Sequence, residues 1–162
     1  MEKIRKARRR ELVEIYNICS QIKAIYKENN ITLWNEYYPT RNHLYNDLLT
    51  GNLYVYTINS EVVGAISIGK DLIEGEKLPE GVASLSRLMV RPDLQNNGIG
   101  GKILTGIEDV LINRGIFEIR FLVSINNQRA MRLYRRLGYN NHGYYPTPWE
   151  DDGYYLLFRK KI

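Results

Sequence analysis

The chain has 162 residues, of which 44% are apolar and 25% charged, and its formal net charge is +5. That is the balance of an ordinary soluble globular protein, long enough for one domain burying about 70% of its extended surface. No apolar run reaches the ~18 residues of a membrane span, and the basic start Met1–Arg10 lacks the apolar segment of a secretory signal.

A lone cysteine, Cys19, excludes an internal disulfide and fits a reducing, cytoplasmic location. With only His43 and His142 beside it, and those far apart in sequence, no metal is expected. The positive charge favours an anionic partner, either nucleic acid or a multiply phosphorylated cofactor. Nucleic acid is disfavoured because the 13 tyrosines fall in no RNA-recognition motif.

In chain order, Lys3–Arg8 reads as a short strand and Arg10–Ile25 as an amphipathic helix, with Leu12, Ile15, Tyr16, Cys19, Ile22 and Ile25 recurring at three and four. Cys19 sits on that apolar face and reads as a buried structural thiol. Ile31–Pro39 is rich in aromatic residues and reads as irregular. Thr40 is an N-cap for a helix over Arg41–Leu49, which Gly51 closes. Leu53–Ile58 and Val62–Gly69 form a hairpin about Asn59-Ser60-Glu61, and Asp71–Gly81 reads as a loop.

Val82–Val90 is the central strand, ended by Arg91-Pro92-Asp93, and Gly100–Asn113 is the helix that follows. Phe117–Ser124 is a buried strand, and Asn126 or Asn127 caps a helix running to Leu137 with Gly138 at its C-terminal end. Tyr139–Tyr145 and Gly153–Arg159 are two further strands around Pro146 and Pro148. A mixed α/β sheet follows, with a parallel or near-parallel step across the glycine-rich turn.

That turn, Val90 to Lys102, carries the chemistry. A strand running through glycines into a helix points backbone N–H groups and the positive end of the helix dipole at one spot, which suits a phosphate. Asn96, Asn97, Gly98, Gly100 and Gly101 allow close backbone approach. Two better-known phosphate loops fail: Asn96 stands where a Walker-type loop needs glycine, and Ile103 where a dinucleotide fingerprint needs its third. The bland alternative is a tight strand–helix turn with no ligand.

Gln95–Gly100 (Q-N-N-G-I-G) after Leu88–Pro92 (L-M-V-R-P), followed by Asn127–Tyr139 (N-Q-R-A-M-R-L-Y-R-R-L-G-Y), resembles the paired motifs of the GNAT superfamily of acyl-CoA-dependent N-acyltransferases. The resemblance implies one N-acetyltransferase domain over residues 1–162. Its fold would be a mixed, mostly antiparallel sheet flanked by helices, with a splayed parallel strand pair at the cofactor site. It also implies acetyl-CoA as acyl donor, a small-molecule amine as acceptor, and direct attack in a ternary complex. The chain would act as a monomer or homodimer, without membrane or metal. A peptide N-terminus is the alternative acceptor, since Tyr144-Tyr145-Pro146-Thr147 faintly resembles a loop of ribosomal-protein acetyltransferases. A non-catalytic acyl-CoA-binding module is the alternative in kind.

Residue by residue, the resemblance places the diphosphate of coenzyme A on Gln95, Asn96, Asn97, Gly98, Ile99, Gly100 and Gly101, and the pantetheine arm along Leu88, Met89 and Val90. Asn127 would lie near the thioester, with a plain N-cap as its structural alternative. Tyr134 would protonate the departing thiolate, with a core tyrosine as the alternative. The amine must lose a proton, yet Val82–Val90 holds no carboxylate, so the base is unassigned among Glu36, His43 and water. Lys102 is either a phosphate contact or a solvated lysine. Trp34 and its tyrosine neighbours either line the acceptor pocket or plug the core. Arg87, in an apolar strand, needs a partner, with Glu36 or Glu74 the candidates. The Arg129-Arg132-Arg136 stripe is a solvated face or a contact for the 3′-phosphate.

Overall fold

The computed structural model describes residues 1–149 and 153–162. The chain divides into two compact units, Met1–Ile68 with Ser86–Ile107, and Gly69–Leu85 with Glu108–Ile162.

In the first unit β1 (Glu2–Lys6) pairs antiparallel with β2 (Leu53–Ile58), and β2 pairs antiparallel with β3 (Glu61–Gly69). The β2–β3 turn puts Asn59 at φ +50° and Ser60 at φ +71°, the left-handed pair that matches strand twist. Helix α1 (Leu12–Glu28) lays Ile15, Ile18, Cys19 and Ile22 on Leu53, Val55, Val62 and Ala65. Burial pushes the Cys19 thiol above its ordinary pKa, which leaves it a packing group rather than a nucleophile.

Helix α2 (Arg41–Leu49) begins at Thr40, as expected. Its cap is reciprocal: Thr40 Oγ1 accepts from the His43 backbone N–H at 3.4 Å, and His43 Nδ1 accepts from the Thr40 N–H at 2.9 Å. Histidine thus fills the place that Glu or Gln takes in the usual capping box.

The second unit holds most of what the sequence obscures. The stretch expected to be a loop forms a short hairpin, β4 (Asp71–Ile73) with β5 (Glu76–Lys77), turned at Gly75 with φ +85°. Strands of three and two residues, exposed on both faces or half-exposed, have no apolar alternation to announce them. Strand β6 (Val82–Val90) starts in this unit and ends in the first, and α3 (Ile99–Asn113) starts in the first and ends in this one. β6 meets β7 (Glu118–Ser124) in parallel through Val82↔Glu118 and Ala83↔Ile119.

β7 then pairs antiparallel with β9 (Tyr155–Lys161), and β9 with β8 (Asn140–Tyr145). The strand order is β1-β2-β3-β6-β7-β9-β8, a mostly antiparallel seven-stranded sheet with one parallel pair. Helix α4 (Gln128–Arg136) lies between β7 and β8 in sequence, its C-cap Leu137 followed by Gly138 at φ +91°. Phe121, Tyr134, Tyr139 and Phe158 make one aromatic cluster, with ring centroids 4.7 to 6.4 Å apart. Tyr139 is fully buried and donates to Glu108 at 2.8 Å. Burial, with Glu108 beside it, pushes that phenol above its ordinary pKa.

Candidate functional site

The glycine-rich turn builds a cradle from its own backbone. After Val90 a short 3₁₀ turn, Pro92–Leu94, leads to Gln95, and α3 starts at Ile99. Asn96 at φ +67° and Gly98 at φ +78° hold the left-handed conformations that asparagine and glycine tolerate best. Side chains fix the loop from within: Gln95 Nε2 donates to Val90 O at 3.1 Å, and Asn97 Nδ2 donates to Leu94 O and Gln95 O, both at 3.1 Å.

The first intrahelical bond of α3 runs from Lys102 N–H to Gly98 O at 3.1 Å. The N–H groups of Ile99, Gly100 and Gly101 therefore precede the helical ladder, at the positive end of the dipole. Ile99 buries its side chain, so only its backbone serves the cradle. A Cβ on Gly98 would meet nothing within 4 Å, so there is open space at the turn. Lys102 pairs with Glu2 at 2.9 Å on the surface.

The strand before the loop is held close by a residue the sequence does not flag. A Cβ on Gly64 of β3 would lie 2.8 Å from Met89 O and 2.7 Å from Ile103 Cδ1. Any side chain there would displace β6 or α3. A glycine inside an apolar strand was the available signal, since it marks close backbone approach.

Arg87 of β6 has φ +54°, although it is neither glycine nor asparagine. Its partner is neither Glu36 nor Glu74. Its Nε donates to Asp47 Oδ2 at 2.8 Å, its Nη2 lies 2.6 Å from the same oxygen, and its Nη1 donates to the Tyr38 hydroxyl at 3.0 Å. Ser67 Oγ donates to Asp47 Oδ2 as well, at 2.6 Å. Asp47 lies one turn beyond the buried Leu44, on the inward face of α2, whereas Glu36 is exposed. Burial works against the Arg87 charge, but Tyr38 and Asp47 outweigh it and hold the guanidinium more firmly protonated than usual.

The other candidates around Trp34 fall apart as a group. Trp34 packs on the first unit's core, edge-on to Tyr26 at 6.2 Å, and Tyr37 is exposed. His43 Nδ1 belongs to the α2 cap.

In the second unit Asn127 is the N-cap of α4, its Oδ1 accepting from Ala130 N–H at 3.2 Å. The cap occupies the carbonyl oxygen and not the NH₂ donors of that side chain. About two turns further on, Tyr134 is half-buried, its ring edge-on to Phe121 at 4.7 Å. Arg129, Arg132, Arg135 and Arg136 are exposed. The structure therefore gathers Leu88–Gly101 in the first unit and seats Asn127 and Tyr134 on one helix of the second. Among the described residues no group of His, Cys, Asp and Glu could hold a metal ion, and no helix is long and apolar enough to cross a membrane.

The pattern that defines the acetyltransferase (GNAT) family matches residues 12–139. A [ribosomal protein bS18]-alanine N-acetyltransferase of Salmonella typhimurium is 36% identical over 69 residues, 40% of this chain and 47% of the relative. The chain thus spans about half the length of that curated relative. Among solved structures, a GNAT-family acetyltransferase from Streptococcus agalactiae superposes with a TM-score of 0.82 at 20% identity, over 99% of this chain and 95% of the other. A PaiA N-acetyltransferase from Thermoplasma acidophilum, in complex with coenzyme A, gives 0.73 at 21% identity over 100% and 99%.

Proposed function

Because the chain belongs to the GNAT acetyltransferase family, we propose that it moves the acetyl group of acetyl-CoA to a primary amine by direct attack within a ternary complex. The observation that carries this reading is the cradle at the head of α3: three helix-start N–H groups beside two left-handed residues, open above Gly98. Such a cradle fits a diphosphate, whose charge it meets with oriented dipoles and without a cation. The complex of the Thermoplasma acidophilum neighbour with coenzyme A supports that choice of ligand.

The rest of the mechanism follows from placing the donor there. The diphosphate rests on Gln95–Gly101, and the amides of pantetheine pair with the backbone of Leu88, Met89 and Val90 as an added strand would. The Asn127 amide donates toward the thioester end. The amine nitrogen attacks the carbonyl carbon, and the Val90 N–H stabilises the oxyanion that forms. The C–S bond breaks, Tyr134 gives its proton to the thiolate, and the amine gives its own proton to a base from outside β6, since that strand carries no carboxylate.

The acceptor is proposed to be a small-molecule amine. A peptide N-terminus is the second reading, favoured by the 36% identity to the bS18-alanine enzyme. A thiol-release assay with acetyl-CoA separates them. Release with small primary amines supports the first, and release confined to alanine-ending peptides supports the second. Silence across both panels, with tight donor binding, would make the chain a binding module instead.

A further inference from the structure

Resting on that reading, we infer that Arg87 is a positioning residue, which through Asp47, Ser67 and Tyr38 sets the strand edge that receives the acyl donor. Three observations carry it. First, Arg87 immediately precedes Leu88–Val90 and bends β6 there with φ +54°. A non-glycine residue keeps that rare conformation only where its surroundings over-determine it. Second, the surroundings do so from three separate parts of the chain: Asp47 from α2, Ser67 from β3, and Tyr38 from the 34–39 segment. Third, the guanidinium and the carboxylate are each only 16% exposed, so the linkage is desolvated and geometrically fixed.

Glycine would adopt this backbone at no steric cost. Arginine accepts the strain and in return ties the bend to three elements. The bend therefore cannot relax without breaking charge-assisted hydrogen bonds. Leu88–Val90 is held where its N–H and C=O groups can meet the donor, and segment 34–39 is coupled to that edge through one Tyr38 hydroxyl. The tolerance is narrow, because small misplacements of a reacting group are costly in rate.

The test uses Arg87→Gly, which keeps the backbone option and deletes the clamp, and Tyr38→Phe, which removes one oxygen. In steady-state thiol release, kcat is expected to fall about 100-fold in Arg87→Gly and roughly tenfold in Tyr38→Phe. The Kd for coenzyme A should rise by a smaller factor than kcat falls, because the α3 cradle that holds the diphosphate is untouched while the strand edge beside it loosens. Amide hydrogen exchange should speed up over Leu88–Val90 in both variants, and over residues 34–39 together with it. Wild-type kcat in either folded variant, or unchanged exchange at Leu88–Val90, would overturn the proposal. If Arg87→Gly does not fold, Tyr38→Phe decides on the same readouts. A wild-type protein that releases no thiol sinks the transferase reading alone, since the exchange measurement needs no turnover.

Discussion

Tyr134→Phe is expected to lower kcat by about 10²- to 10⁴-fold while leaving coenzyme A affinity within about twofold. The ring of Tyr134 packs edge-on against Phe121, Tyr139 and Phe158, and phenylalanine keeps all three contacts. Only the hydroxyl is lost. A phenolic hydroxyl is the kind of group that can act as general acid and hand its proton to a departing thiolate. Without that proton the tetrahedral adduct must expel a naked thiolate. The comparison to make is single-turnover thiol release beside calorimetric affinity, so that chemistry and binding are read separately. Full activity in the variant would return Tyr134 to the role of a core tyrosine.

Glu118→Gln is expected to cost about 3 kcal/mol of stability at neutral pH, the lower end for breaking one side of a buried ion pair. In a chain of this size that is a fall of roughly 6–12 °C in Tm. Glu118 opens β7 with a side chain only 5% exposed, between Arg120, which donates to its Oε2, and Arg159, whose Nη2 lies 3.1 Å from its Oε1. Burial tends to raise its pKa, but Arg120 and Arg159 outweigh burial and hold the carboxyl below its usual value.

The folded pKa is therefore depressed relative to the unfolded chain. The stabilisation is fully present above the unfolded carboxylate value, about 4.3, and is lost as pH falls through the folded one. Gln imitates the protonated acid. The Tm gap between wild type and variant should be widest near neutrality and close progressively below about pH 4. A gap that stays constant down to about pH 3 would show that the two arginines contribute nothing through charge.

Much of the fold could be read from local chemistry. The bounds of α2, β2 and β6 come out as expected because Thr40, Gly51 and Pro92 are local stops, and the apolar runs between them belong to one period each. The α4 cap, legible as Asn126 or Asn127, falls on Asn127, and Gly138 follows the C-cap Leu137 as expected. The loop was legible too: Asn96 and Gly98 are the residue types that accept the φ values found there.

What escaped depends on contacts between residues far apart in sequence. Nothing in an arginine announces φ +54°, and only the packed fold shows that Asp47, 40 residues earlier, meets it. The closeness of Met89 and Ile103 to Gly64 is likewise a property of three packed elements. On helical spacing Asp47 is an ordinary polar position of α2, and nothing local sets it apart from Glu36 or Glu74 as a partner for Arg87.

Anion capture by the backbone of Gln95–Gly101 is the step on which every other proposed role depends. The direct measurement is a calorimetric titration of the purified protein with coenzyme A, in the absence of any amine. A saturable heat with a Kd well below about 1 mM is predicted, a binding free energy beyond −4 kcal/mol or so. A flat thermogram at millimolar coenzyme A would contradict it, and with it every role assigned to the residues downstream of the loop.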